Sequence, residues 1–237
     1  QVKELGIFWV KASKCKHVNL QGVQAHMSKN KNVLPYVTFI KELAYFLKKD
    51  FTEEMRRGVK FIDVGGGFMP FESFAYYPHA QAQGAIVKAV NDFFGKPTKF
   101  ANKYFIKEAA PIEDYAKGIS EAIKIYIAPL VDCELYVEPG RFICHKAMIL
   151  VTSVVDVKSK KTAITDGGIN MLGWERFESE YFPVVNLTHP SKKELEFRLN
   201  GPLCTPLDHW GNYCYAKKVV EGDLIVIANQ GAYSFTS

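Results

Sequence analysis

Residues 61–68 read FIDVGGGF, a short apolar run that ends in three consecutive glycines. Phe61–Val64 has the composition of a buried strand. Upstream, Val33–Arg57 is predicted as a helix, because apolar side chains recur there at spacings of three and four. Downstream, Ile112–Leu130 is predicted as another, with Pro111 suited to its first turn. Strands that alternate with helices indicate parallel βα units.

The alternation extends to both sides of the glycines. Asn19–Met27 is predicted as a strand, Gln81–Phe94 as a helix, and Leu135–Val137 as a strand that ends in Glu-Pro-Gly-Arg. In parallel βα architectures, ligands bind at the carboxyl ends of the strands. The chemically informative groups of this sequence follow strands in that way: His26, Gly65–Gly67 and Glu138–Arg141.

The pattern changes near residue 148. Met148–Val157 is rich in valine and threonine, and a polar turn follows it at Lys158–Lys161. Further strands are predicted at Thr162–Thr165, Glu196–Leu199 and Leu224–Ala228. We therefore predict two domains, an α/β domain over residues 1–148 and an all-β domain over residues 149–237.

The composition excludes several classes of protein. With 237 residues, 48% of them hydrophobic, the chain is globular. Its longest aliphatic runs, Ala147–Val151 and Leu224–Ala228, are too short to span a bilayer, so we expect no membrane association. The net charge of +5 comes from scattered lysines, and we expect no nucleic-acid partner. The five cysteines form no CxxC pair, which predicts a cytoplasmic chain without a metal site.

Two glycine-containing loops each allow two interpretations. Gly65–Gly67 either present backbone N–H groups to a phosphate or form a sharp turn with positive φ. Arg141, preceded by Gly140, either clamps a phosphate through its fork of donors or forms a structural ion pair. In the first case Glu138 is a carboxylate within the ligand site. The residues alone do not decide between these alternatives.

Three more residues are ambiguous in isolation. His26 is either a structural or a catalytic side chain. Cys204, in the stretch GPLCTPLD, is either inert or reactive. Tyr233 is either a packing residue or a ligand contact. What is specific is the order in which the motifs follow one another along the chain, namely His, GGGF, EPGR, GPxC and GAY.

That order resembles the fold-type III pyridoxal 5′-phosphate decarboxylases, the family of ornithine, arginine and diaminopimelate decarboxylases. The resemblance covers nearly the whole chain. It implies the C-terminal part of a (β/α)8 barrel followed by an all-β domain, with pyridoxal 5′-phosphate as the cofactor and decarboxylation of an amino acid at its α-carbon as the reaction. Such a barrel needs about 250 residues. We therefore expect a fragment that lacks the N-terminal barrel strands and the last part of the C-terminus.

The resemblance also implies a role for each motif. His26 would stack on the pyridine ring of the cofactor. Glu138 would face the pyridine nitrogen and keep it protonated, which favours decarboxylation over the racemisation catalysed by relatives with an arginine there. The cofactor phosphate would be held by five residues: Gly65, Gly66, Gly67, Gly140 and Arg141.

Four residues of the β domain receive roles from the same resemblance. Tyr233 would contact the phosphate or the region of the catalytic lysine. Cys204 would reach the active site of a neighbouring subunit and return a proton to the α-carbon, which implies a homodimer with shared active sites. Asp208 would support the dimer interface. Thr205 stands where relatives that act on diamino acids carry an acid, which favours a modified or carrier-tethered substrate.

Two positions of the barrel region also depart from the family pattern. The family reads His-x-Gly-Ser where this sequence has His26-Met27-Ser28-Lys29, so the hydroxyl that contacts phosphate, Ser28 or another, is unassigned. Several βα units separate the catalytic lysine from the histidine in the family, whereas Lys11 lies only 15 residues before His26. We therefore predict Lys11 on a surface helix.

Two other functions are compatible with parts of the pattern. A non-catalytic homologue would bind partners through the dimer surface, although intact Gly65–Gly67 and Arg141 argue against it. A glycosidase would use Glu138, but it needs a second carboxylate, and Pro139–Arg141 would have no role in it.

Overall fold

The computed structural model describes residues 4–72, 74–76, 82–96, 98, 105–172 and 182–234. Two compact units contain them, one within Gln1–Met69 and Ala109–Gly140, the other within Pro70–Glu108 and Arg141–Ser237. The α-helices are α1 (Leu5–Ser13), α2 (Leu34–Lys49), α3 (Glu53–Gly58), α4 (Ala82–Phe93), α5 (Ile112–Ala122) and α6 (Gly140–Cys144). The strands are β1 (Gly22–Gln24), β2 (Phe61–Asp63), β3 (Phe74–Tyr76), β4 (Phe105–Lys107), β5 (Glu134–Tyr136), β6 (Leu150–Ser159), β7 (Thr162–Thr165), β8 (Val184–Asn186), β9 (Glu194–Asn200), β10 (His209–Tyr215) and β11 (Leu224–Ile227).

A parallel sheet with the order β1-β2-β5 forms the centre of the first unit. Ile62 of β2 lies between Val23 and Leu135 in the register and is fully buried. The predicted parallel pairing is therefore confirmed, although the first strand is shorter than the predicted Asn19–Met27. Because the three strands are parallel, the segments that follow them leave the sheet at the same edge.

The predicted helix over Val33–Arg57 is wrong in one respect, since it is two helices. α2 buries Ile40, Leu43 and Leu47 along one face, as the spacing predicted. The chain then breaks at Thr52, which has an extended backbone and accepts a hydrogen bond from the N–H of Met55 at 3.2 Å. That N-cap begins α3, because its side chain satisfies a backbone donor that would otherwise lack a partner.

The predicted helix over Ile112–Leu130 is largely confirmed. α5 buries Tyr115, Ile119 and Ala122, and a π-helical turn over Ile123–Ile127 continues it. Helix α4 matches the predicted Gln81–Phe94, of which Gln81 lies outside the described residues.

A closed barrel with the strand order β10-β8-β11-β6-β7-β9 forms most of the second unit and confirms the predicted β-rich region. β6 alternates across its faces, with Leu150, Thr152 and Val154 buried. Leu199, Trp210 and Ile225, from three other strands, complete the same core. Within the described ranges, we find no helix that combines the length and the apolar character needed to cross a membrane.

Candidate functional site

The ends of the three parallel strands bring His26, the glycine loop and Glu138 together. The N–H of Gly66 donates to Nδ1 of His26 at 3.3 Å. The N–H of Glu138 donates to the carbonyl of Gly65 at 2.9 Å. Residues that are 112 positions apart in the sequence thus share one strand edge, as the sequence predicted.

The glycines are required by the close approach of other backbone segments. A Cβ on Gly67 would lie 1.7 Å from the carbonyl oxygen of Met27, and one on Gly66 would lie 2.6 Å from that of Glu138. The backbone of Gly67 also has a φ of 85°, in the left-handed region. The sharp-turn interpretation is therefore confirmed, and the phosphate interpretation depends on where the amides point.

The three glycine amides have different partners. The N–H of Gly65 donates to the carboxylate of Asp63 at 2.8 Å, and that of Gly66 donates to His26. Within the part of the chain that the structure describes, the N–H of Gly67 has no hydrogen-bond partner. An amide without a partner beside a glycine loop is a donor available to an anion. Of the three predicted phosphate-binding glycines, Gly67 is thus the one whose amide is free to act.

His26 and Glu138 contact each other directly. Nδ1 of His26 lies 3.4 Å from Oε2 of Glu138, and both side chains are nearly half exposed. The same nitrogen accepts the N–H of Gly66 in one tautomer, so it donates to Glu138 only in the other. A contact of this length between exposed groups is weak. Each side chain is therefore able to bind another group with little loss of free energy.

Arg141 and Tyr233 come together in the second unit. The guanidinium carbon of Arg141 lies 4.8 Å from the ring centroid of Tyr233, and Arg141 is buried. Two residues before Tyr233, Gly231 packs closely against another backbone segment, because a Cβ there would lie 1.7 Å from the carbonyl oxygen of Cys144. A Cβ on Gly140, in contrast, would meet no atom within 4 Å, so packing does not explain that glycine and its phosphate role stays a prediction.

The comparisons with known proteins decide the family. The family described as "Pyridoxal-dependent decarboxylase, C-terminal sheet domain" matches residues 35–231. The chain belongs to the pyridoxal-dependent decarboxylases. This membership confirms the predicted family and its cofactor, pyridoxal 5′-phosphate.

Individual decarboxylases of this family are similar over different lengths. L-glutamyl-[BtrI acyl-carrier protein] decarboxylase of Niallia circulans is 27% identical over 192 residues, 74% of this chain and 36% of that protein. Diaminopimelate decarboxylase of Aquifex aeolicus is 24% identical over 94% of this chain and 45% of its own length. The structure of diaminopimelate decarboxylase from M. jannaschii, in co-complex with L-lysine, superposes with a TM-score of 0.68 at 20% identity and covers 95% of this chain and 45% of that one. The chain thus spans less than half the length of these relatives.

The residues of this pyridoxal-dependent decarboxylase chain fit the cofactor. An anionic phosphate needs donors, which the amide of Gly67 provides without breaking an existing bond. A protonated pyridine nitrogen needs a carboxylate that is not fixed elsewhere, and Glu138 meets this requirement because its contact with His26 is weak.

Cys204 lies on an exposed loop that Asp208 holds in place. Asp208 is only 1% exposed, and its carboxylate accepts the N–H groups of Ile169 at 2.6 Å and Leu203 at 2.7 Å. Its predicted support of a dimer interface stays a prediction, whereas its observed contacts fix the loop within this chain. Thr205 lies on the same loop and is exposed.

The structure also shows where the two departures from the family pattern in the barrel region lie. Lys11 lies on α1 with an exposed side chain, which confirms the predicted surface helix. Ser28 and Lys29 are exposed in the segment after β1, and Lys29 has a left-handed backbone with φ of 56°. The role of Ser28 at a phosphate stays unassigned.

Two residues beneath the glycine loop, Asn30 and Tyr36, were not predicted from the sequence. Both are buried, and Tyr36 hydrogen-bonds to the carbonyl of Gly66. In the sequence Tyr36 is one more aromatic residue near the start of an amphipathic helix. No local signal distinguishes it from a packing residue.

His145 is a further buried polar residue that the motifs did not indicate. It is 2% exposed, and neither ring nitrogen has a hydrogen-bond partner among the described residues. Burial, together with the nearby cations Arg141 and Lys146, lowers its pKa from 6.5 to about 4. His145 is therefore neutral in the folded protein at pH 7.

This shift predicts a specific loss of stability in acid. A group with a lowered folded pKa stabilises the fold above its unfolded pKa of 6.5, and that contribution disappears as the pH falls toward 4. We expect the free energy of unfolding to fall by about 2 kcal/mol more between pH 7 and pH 5 in the wild type than in His145→Leu. Urea denaturation at the two pH values measures the difference.

The control is His17→Leu, which removes an exposed histidine from the first unit. In that variant, the free energy of unfolding should fall between pH 7 and pH 5 by the same amount as in the wild type. Equal pH dependence in the wild type and His145→Leu would contradict the assignment to His145.

Proposed function

We propose that the protein containing this chain is a pyridoxal 5′-phosphate-dependent decarboxylase that removes the α-carboxylate of an amino acid. The observation that carries this proposal is the cluster at the strand edge. There, the half-exposed carboxylate of Glu138 and the ring of His26 lie beside the glycine loop, in which the Gly67 amide has no hydrogen-bond partner among the described residues. Membership of the pyridoxal-dependent decarboxylase family supports the same chemistry.

Each residue of the cluster has one task in this proposal. When bound, the cofactor supplies a ring that accepts the electron pair left behind as CO₂ departs. The carboxylate of Glu138 holds a proton on the pyridine nitrogen, and the ring of His26 stacks against the pyridine. The amide of Gly67 binds the phosphate, and Gly65, Gly66 and Gly140 keep their predicted role there. Arg141 keeps its predicted role at the phosphate, and Tyr233 keeps its predicted role at the phosphate or in the region of the catalytic lysine.

We also propose the C-terminal part of a (β/α)8 barrel and a homodimer. The parallel order β1-β2-β5 supports the barrel, because β1 and β5 each pair on one side only within the described residues. In the dimer, the thiol of Cys204 returns a proton to the α-carbon in the site of the neighbouring subunit. Its exposure on a loop that is itself firmly held supports this task.

For the substrate, we propose an amino acid without a free amine at its distal end. Thr205 stands where relatives acting on diamino acids carry an acid, and a threonine provides no charge to pair with an ammonium group. Similarity to a decarboxylase of an acyl-carrier-protein-bound glutamyl group supports a tethered substrate. For the location we propose the cytoplasm, since all five cysteines are free thiols.

The test is CO₂ release by the full-length protein with added pyridoxal 5′-phosphate. We expect release from a glutamyl group loaded on a carrier protein to exceed release from diaminopimelate, lysine or ornithine, because Thr205 provides no charge for a distal ammonium group. Cofactor binding, measured by its absorbance, is recorded in parallel. Cofactor binding without release from any of these substrates would contradict the proposed activity and favour a non-catalytic homologue.

A further inference from the structure

A buried hydroxyl lies directly beneath the glycine loop. Tyr36 has no exposed surface, and its hydroxyl donates to the carbonyl of Gly66 at 2.7 Å. The same oxygen accepts from Nδ2 of Asn30 at 3.1 Å. The direction of the Tyr36 hydroxyl proton is therefore fixed from both sides, since one partner supplies a proton and the other receives one.

Asn30 ties this hydroxyl to the segment after β1. Its second Nδ2 proton goes to the carbonyl of Met27 at 2.9 Å, and its own N–H donates to the carbonyl of Gly67 at 2.8 Å. Asn30 is 8% exposed. The carbonyls of Gly66 and Gly67 are thus both engaged from the protein interior.

The direction of one amide follows from these bonds. In a trans peptide the carbonyl and the N–H point in opposite directions. The carbonyl of Gly66 points to the buried Tyr36, so the N–H of Gly67 in the same peptide points away from the interior. We infer that Tyr36 is a positioning residue that holds the Gly67 amide toward the cofactor phosphate, an inference that rests on the proposed function.

Among the described residues, the Tyr36 hydroxyl makes the one hydrogen bond to the peptide group between Gly66 and Gly67. That peptide joins two glycines, which have the widest choice of backbone conformations of all residues. The ring of Tyr36 is held independently, by stacking on Phe68 with centroids 4.8 Å apart. Tyr36→Phe therefore removes the restraint on the peptide while keeping the packing of the ring.

The first experiment compares two ligands that differ only in the phosphate. In the full-length protein, we expect Tyr36→Phe to weaken binding of pyridoxal 5′-phosphate about tenfold and to leave binding of pyridoxal unchanged. The matched control is Tyr115→Phe, which removes an equally buried hydroxyl that donates to the carbonyl of Asn30 rather than to the glycine loop. Wild-type affinity in Tyr36→Phe, or equal weakening for both ligands, would overturn the inference.

A second measurement separates this inference from the proposed function. If the wild type binds no pyridoxal 5′-phosphate, the proposed function fails, and inorganic phosphate is titrated while the amide resonance of Gly67 is followed by NMR. A shift in the wild type that is lost in Tyr36→Phe would support the positioning role. The same shift in both proteins, or none in either, would overturn it.

Discussion

Replacing Glu138 by glutamine should lower kcat about a hundredfold or more while pyridoxal 5′-phosphate remains bound. Glutamine has the size of glutamate but carries no charge, so it does not hold a proton on the pyridine nitrogen. Without that proton, a bound cofactor would supply a weaker electron acceptor for the departure of CO₂. The proposed phosphate contacts are unchanged, because none of them is assigned to the Glu138 side chain. CO₂ release and cofactor absorbance in the full-length protein measure the two effects separately.

A matched control lies on the strand that precedes Glu138. Glu134 is another carboxylate, placed at the start of β5, where it accepts the hydroxyl of Tyr136 at 2.6 Å. Glu134→Gln should leave kcat within about twofold of the wild type, because a glutamine oxygen still accepts the Tyr136 hydroxyl and this residue has no task in the proposed mechanism. Full activity in Glu138→Gln would remove the carboxylate from the mechanism.

Replacing Gly67 by alanine should abolish cofactor binding and lower the free energy of unfolding by on the order of 3 kcal/mol. The added methyl would lie 1.7 Å from the carbonyl oxygen of Met27, so one of the two segments must move. The φ of 85° adds the cost of a left-handed conformation. Either movement displaces the amide that we assign to the phosphate. Urea denaturation and cofactor titration measure the two losses.

Gly222→Ala isolates the backbone contribution. Gly222 has nearly the same φ, 84°, but a Cβ there would meet no atom within 4 Å. We expect this variant to lose about 1–2 kcal/mol and to bind the cofactor normally. If Gly67→Ala proved no more harmful than Gly222→Ala, the close approach of the Met27 segment would not be what requires a glycine at 67.

Much of the fold follows from local sequence patterns. The spacing of Ile40, Leu43 and Leu47 predicted the buried face of α2 because a helix brings such positions together whatever its surroundings. The same spacing did not predict the break at Thr52. A helix N-cap depends on one side-chain hydrogen bond to a nearby backbone N–H. The spacing of apolar residues continues past Thr52 and gives no information about that bond.

The sequence by itself determined the family, the cofactor and the strand-end positions of His26 and Glu138, because motif order and strand ends are properties of the chain. Only the tertiary structure decided which glycine amide is free and what orients it. Gly65, Gly66 and Gly67 are the same residue type, and they differ through their hydrogen-bond partners: the Gly65 amide bonds to Asp63 nearby, whereas the Gly66 amide bonds to His26 on a distant segment. Tyr36, 30 positions from Gly66, is the partner of the Gly66 carbonyl. Hydrogen bonds between such segments exist only after the parallel strands have paired.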